Sequence, residues 1–297
     1  MFARVALASA PILLAGALLT GAASSPPVIA VAPPAGLGLN PFYTRYLDAA
    51  GLPVVSSSRA PEEALTTAAA IVRQMLAHRP DIAAELARQG YRIAVMAPDE
   101  ATTDLPEQAS WTRPKPDDPR LTRCERKHYD ERIGGLTDRQ YWNWRARGLA
   151  GKLTSAGTEN LLGLTGDRYR GQNIFVHEFS HDIFRAAYVA DRALYNRVFA
   201  AYDAASKAGR WKGEYASTTV EEYWAVGTQF WFNTAPYASF GDVHILSDED
   251  LARYDPPLAA VLREAFGDNH RLDADRWYNS PLRVPPGPLP AYTAEVC

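Results

Sequence analysis

The sequence predicts an α+β domain that is mainly helical and carries a small β-sheet. Apolar residues recur at helical spacing in long stretches, among them Leu65, Ala68, Ile71, Val72 and Met75, and again Leu194, Val198, Phe199 and Tyr202. Strand character is confined to short runs such as Arg92–Met96. With 297 residues, 47% of them hydrophobic, the chain can bury a sizeable core, and one domain accounts for its length.

Residues 1–23 read as a secretory signal. Arg4 precedes an apolar core from Val5 to Leu19, and the small residues Gly21 and Ala23 stand at the cleavage positions. A membrane anchor is the alternative, but Pro11 interrupts the run, which falls short of the roughly 20 residues that a spanning helix needs. The expectation is an exported protein, secreted or periplasmic, with no membrane attachment after cleavage. Residues 24–297 then form a single domain, of which 24–60 is an N-terminal arm. Pro61 opens a helix with Glu62 and Glu63 in its first turn, where acids complement the helix dipole. Pro80 opens a second helix, which Gly90 closes before the strand Arg92–Met96.

Asp99, Glu100, Asp104 and Glu107 crowd the next loop. Their spacing lacks the regular alternation of a calcium loop, so a solvated loop is expected over a calcium site. The proline-rich residues 111–120 are irregular. From Arg123 to Arg147 charges alternate with aromatics, and Tyr141, Trp142 and Trp144 are expected to pack on the core. Later helices are expected from Arg192 to Lys207, closed by Gly209, and from about Asp248 to Phe266. Residues 282–297 are an extended proline-rich strap with no core of its own.

Between these elements lies Val176-His177-Glu178-Phe179-Ser180-His181, an HExxH stretch with Ile174, Phe175, Phe179, Ile183 and Phe184 at helical spacing. Residues four apart on a helix share a face, so the His177 and His181 imidazoles can converge on one tetrahedral ion. Glu178 falls beside such an ion, where a carboxylate can move the proton of a water. A third ligand is expected on a later helix, and Thr218-Thr219-Val220-Glu221-Glu222 opens one. Thr218 with Glu221, or Thr219 with Glu222, would make a capping box. If Glu221 caps, Glu222 is rotated about 100° and free to face the histidines, with the small Ala225 one turn on. Glu222 is therefore taken as the ligand and Glu221 as cap or orienting group. Two imidazoles and a carboxylate, with a fourth position open, are the donor set of a single catalytic Zn2+.

HExxH followed by a distant ExxA helix resembles the gluzincin metallopeptidases, and Tyr215, seven before Glu222, resembles the tyrosine of the anthrax lethal factor type of catalytic domain. The motifs span about Gly157 to Phe232, and Glu159-Asn160-Leu161-Leu162 with Asp167-Arg168-Tyr169-Arg170-Gly171 extends the likeness to secreted relatives. The resemblance implies a zincin-like domain, a peptide or protein substrate, and a role for Tyr215 in the chemistry. It also makes Leu149 to Asn160 the place to look for substrate held as an added strand. Relatives often carry an acid four residues after the glutamate ligand, where this chain has Val226. Some other group must then orient the ligands, and Glu221 and Asp182 are the nearest candidates in sequence.

Without Arg4, 31 basic residues become 30 against 34 acidic ones, a net charge of about −4. No lysine or arginine run exceeds two, so no nucleic-acid partner is expected. An exported chain meets an oxidising compartment, where Cys124 and Cys297 are expected to form a disulfide rather than remain two thiols. Two functions compete: an exported zinc metallopeptidase with Glu178 as general base, and an exported zinc-binding protein whose metal is only a fold staple. Val226 favours the second, while Glu178 and Tyr215, which a structural site does not require, favour the first.

Overall fold

The computed structural model describes residues 29–289; the expected signal and Cys297 lie outside them. Four strands form a mixed sheet in the order β1-β2-β3-β4. β1 (Arg45–Ala49) and β2 (Leu52–Ser56) are an antiparallel hairpin, to which β3 (Arg92–Met96) and β4 (Leu153–Gly157) add in parallel. Helices α1 (Glu62–Leu76) and α2 (Pro80–Arg88) make the crossover from β2 to β3. Leu65, Ile71 and Val72 of α1 share a core cluster with Leu52, Val54, Ile93 and Val95. Tyr43, Val55, Ala94, Met96 and Leu105 form the second, smaller cluster on the sheet. Burial on both faces is why β3 reads as an unbroken apolar run.

Half of this sheet comes from the segment expected to be only an arm. The β1–β2 turn is Ala50-Gly51, with φ of 55° and 83°. Two-residue hairpin turns need such positive angles and usually announce themselves as Asn-Gly or Asp-Gly. Here alanine takes the first position, so the signal is missing.

Short helices α3 (Arg123–Lys127) and α4 (Asp138–Arg145) precede β4, and α5 (Thr158–Leu161) follows it. The C-terminal half is helical: α6 (Ile174–Ala190), α7 (Arg192–Lys207), α8 (Val220–Trp231), α9 (Asp248–Tyr254) and α10 (Pro256–Phe266), with a hairpin of β5 (Ala238–Phe240) and β6 (Val243–Ile245). α8 lies against α6, and the Trp224 indole N–H donates to the Ser180 carbonyl at 2.9 Å. Among the described residues no helix is long and apolar enough to cross a membrane.

Three expectations are corrected. The single last helix is two, broken at Asp255, because Pro256 fits the first position of a new helix and Asp255 caps it through the Leu258 N–H at 3.3 Å. Trp144 is 47% exposed rather than packed. The acidic loop is tied down rather than solvated: Glu100 is 2% exposed and accepts from Ser57 Oγ at 2.5 Å and the Ala97 N–H at 2.7 Å. Asp104 pairs with Arg139 at 2.7 Å, and Glu107 with Arg92 and Tyr43, both at 2.5 Å.

One buried ion pair ties that loop to the sheet. Arg147 meets Glu159 through Nε at 2.7 Å and Nη2 at 2.8 Å, and also donates to the carbonyls of Ala97 and Glu100. The strap is held at Gly171, whose φ is 87° and where a Cβ would lie 2.3 Å from the Leu282 carbonyl oxygen, so no other residue fits.

Arg147→Ala should destabilise the fold by about 3 kcal/mol, since it leaves the largely enclosed Glu159 carboxylate, 12% exposed, unpaired. A lower denaturation midpoint at unchanged slope checks this. Replacing both partners, Arg147→Met with Glu159→Leu, should recover most of the loss.

Candidate metal centre

The first half of the site is α6. Asn173 caps it, its side chain accepting the Val176 N–H at 3.2 Å. Asn160 fixes its start from behind, accepting the Ile174 N–H at 2.9 Å and donating to the Gln172 carbonyl and to Asp167, both at 2.8 Å. The segments Glu159-Asn160 and Asp167 thus act as scaffold: one binds Arg147, the others the N-terminus of the histidine helix. Along α6, His177 and His181 emerge on one face with their Nε2 atoms 3.2 Å apart.

The second half is α8. Thr219 is its cap, accepting the Glu222 N–H at 3.1 Å. Glu222 Oε2 lies 3.0 Å from His177 Nε2 and 3.6 Å from His181 Nε2. Donor atoms of His177, His181 and Glu222 therefore share one point across two helices, all within 4.8 Å of one another. A tetrahedral ion with bonds of about 2.0 to 2.1 Å separates its ligand atoms by roughly 3.3 Å. The three observed spacings bracket that value, so these residues fit a small divalent ion of the zinc type.

His177 is held by Gln229. Its Nδ1 lies 3.0 Å from Gln229 Oε1, so a proton is held on Nδ1, and with the Nε2 proton displaced that nitrogen would offer its lone pair to a metal. The Gln229 amide is fixed in turn, donating to Gln172 Oε1 at 3.2 Å and the Asn173 carbonyl at 3.1 Å. His181 has no such support: its Nδ1 is buried and meets no acceptor among the described residues.

The orienting groups expected from the sequence lie elsewhere. Asp182 turns away, accepting the Gly151 N–H at 3.0 Å, Arg185 Nη1 at 2.9 Å and the Thr154 hydroxyl, so it ties β4 to α6. Glu221 lines a separate hollow with Phe184, Arg185, Tyr188 and Tyr195, and the cap is Thr219. Gln229, missed in the sequence, takes the orienting role. Its signal was two turns beyond Glu222 on the same face of α8, not one turn, and it is an amide rather than an acid.

Glu178 sits beside the trio and accepts the Ala150 N–H; burial pushes its carboxyl up to about 7, against the His177 charge. Burial, then His177, push the His181 imidazole down to about 4. Burial alone would raise the Glu222 carboxyl, but His177, His181 and Tyr215 hold it below the usual range. The Tyr215 hydroxyl bonds Glu222, and its ring stacks on His177 at 6.3 Å and 24°. That ring is 60% exposed, although its phenol pKa is raised by burial and by the Glu222 charge: the hydroxyl is tucked in and the ring faces outward.

These groups open onto a cleft of about 560 Å3, walled also by Gly148, Leu149, Tyr169, Trp211 and Val226. Gly148 brings its backbone close, since a Cβ there would lie 3.1 Å from Ile174 and 3.4 Å from Glu178. Leu149 bridges Ser155 on the outer edge of β4, exchanging bonds of 2.9 and 3.3 Å. That part of the edge is thus already paired by the chain itself.

No protein-family model matches this chain, and no curated protein matches it. Among solved structures it is similar to the PRO-PRO endopeptidase (PPEP-2) from Paenibacillus alvei. The two are 17% identical with a TM-score of 0.43, over 72% of this chain and 97% of that one.

Gln229→Leu should weaken the binding of a divalent metal such as Zn2+ about 10- to 100-fold while preserving the fold, because His177 loses the acceptor that sets its tautomer. Competition with a chromophoric chelator measures this. Equal affinity in the two proteins would show that Gln229 orients nothing.

Proposed function

We propose that this chain is an exported zinc-dependent metallopeptidase of the gluzincin type, with a peptide or protein as substrate. The observation that carries the reading is the meeting of His177, His181 and Glu222 beside Glu178 at the wall of an open cleft. A purely structural zinc site is normally closed by a fourth protein ligand, and the three donors here face a cavity instead. His177, His181 and Glu222 would hold the ion, which when bound supplies a Lewis acid and a nucleophilic water at neutral pH.

The chain's own groups do the rest. Glu178 takes the water's proton at its carboxylate and delivers it to the departing amine, as its place beside the three donors at the cleft allows. Tyr215 can turn its hydroxyl from Glu222 to the scissile carbonyl oxygen, donating as negative charge develops there. Gln229 keeps His177 in one tautomer throughout. Val226, where an acid was expected, lines the cleft and leaves it more apolar.

Export and the disulfide belong to the same reading. The signal-like residues 1–23 support the first. Cys124, buried at the start of α3, and the final residue Cys297 support the second, which would tie the strap to the domain with at most about 5 kcal/mol of stabilisation.

Glu178→Gln should retain Zn2+ and fold but lose nearly all hydrolysis of a peptide library, because an amide of the same size cannot accept the water's proton. Tyr215→Phe should lower turnover about 10- to 1,000-fold at unchanged metal content. A zinc-loaded wild-type protein that cleaves nothing in that library leaves the metal-stapled binder as the reading. Thiol counting of the exported protein, denatured without reductant, should find no reactive thiol; two per chain would refute the bridge.

A further inference from the structure

Three carboxylates line the cleft: Glu178, Glu222 and Glu214. The first two serve the metal chemistry, and Glu214 is left without a task. It sits in the loop ahead of α8, fixed on both sides: its N–H bonds the Trp211 carbonyl at 2.8 Å, and its own carbonyl accepts the Ser217 N–H at 2.9 Å and hydroxyl at 2.8 Å. Trp211 is itself held at φ 58°, an angle non-glycine residues rarely take, by its indole N–H to Asp255 at 2.9 Å and its backbone N–H to the Tyr254 hydroxyl at 2.8 Å. Asp255 also accepts from the Tyr223 hydroxyl, which anchors the loop to α8. The Glu214 side chain therefore enters the cleft from a rigid mount.

Among the described residues no cation and no hydrogen-bond donor meets its carboxylate, a state it shares with Glu221 outside the cleft, whereas several other half-buried acids are paired. Glu107 has Arg92, Asp104 has Arg139, and Asp250 has Arg253. Arg145, which also lines the cleft, is held by Glu125 at 3.1 Å. Burial raises the Glu214 carboxyl with nothing to oppose it. Its oxygens still reach the solvent of the open cleft, so the carboxylate is free to accept a cation that a ligand brings. Ala216, Val226 and Phe230 line the same cleft and give it apolar surface of the kind that suits a hydrocarbon stem.

We propose that Glu214 is a specificity-determining residue: it receives the ammonium or guanidinium of a lysine or arginine in the substrate, whose stem lies along Ala216, Val226 and Phe230. This deepens the peptidase reading and rests on it only for where the peptide is cut. The unmatched carboxylate and the apolar wall carry the choice of side chain.

The test uses peptide pairs that differ only by lysine against norleucine at each position in turn. Binding is measured by calorimetry on zinc-loaded Glu178→Gln protein, with and without Glu214→Gln or Glu214→Ala; kcat/KM is measured on the wild type with the same pairs. One position should prefer lysine by about 10- to 100-fold in both readouts, and the preference should vanish in either Glu214 variant, with metal content and fold retained. Glu214→Lys should turn the preference toward glutamate at that position. Equal binding of every pair, no binding at all, or a lysine preference that survives loss of Glu214 would overturn the proposal. Lysine-selective binding without wild-type cleavage would remove the peptidase reading and leave Glu214 standing; cleavage without lysine preference would do the reverse.

Discussion

Everything at the candidate centre depends on α6 and α8 lying face to face at one distance. The ligand atoms of His177 and Glu222 are 45 residues apart in sequence and 3.0 Å apart in space. Burying two imidazoles and a carboxylate together is unfavourable unless the geometry gives each a partner. The apposition is maintained by groups outside the ligand set. Trp224, fully buried, hydrogen-bonds the Ser180 carbonyl inside the histidine helix, and Gln229 reaches back to His177 and to the Asn173 carbonyl at that helix's cap. A shift of α8 by one residue would rotate Glu222 away by about 100° and break all of these contacts at once.

The surroundings follow from that constraint. α8 is pinned from its far side by α10, at Gly227, where a Cβ would come within 2.8 Å of Leu258. Glycine inside a helix costs about 1 kcal/mol relative to alanine, and here it allows the close approach. α6 is pinned to the sheet by Asp182, through Thr154 and the Gly151 N–H. Asp255 receives Trp211 and Tyr223 and so places the loop bearing Glu214 and Tyr215 at the cleft beside His177 and Glu222. Polar side chains with long reach set the site, while the apolar cluster that runs from α1 to α10 supplies the rigid background.

The HExxH pair was legible because helical spacing is local: four residues on one helix put two imidazoles on one face whatever the rest of the chain does. Glu222 was legible as an acid in the first turn of a helix opened by threonines, although the cap is Thr219, which accepts the Glu222 N–H, rather than Thr218 with Glu221. Gln229 was not, because nothing local distinguishes a buried glutamine that orients a ring from one that faces water. Asp182 misled for the same reason. It is next to His181 in sequence, yet helical rotation turns it onto another face, toward β4. The β1–β2 hairpin was hidden by Ala50 in a position that glycine or asparagine usually marks.

By itself the sequence determined the helical class of the chain, the pair of histidines with Glu178 between them, and the helix that carries Glu222, since each depends on contacts within a few turns. Only the tertiary structure decided which donors share one point, which group orients His177, and which carboxylate stands in the cleft unmatched. Those are questions of distance between segments far apart in the chain, and the packing of α6, α8 and α10 sets those distances.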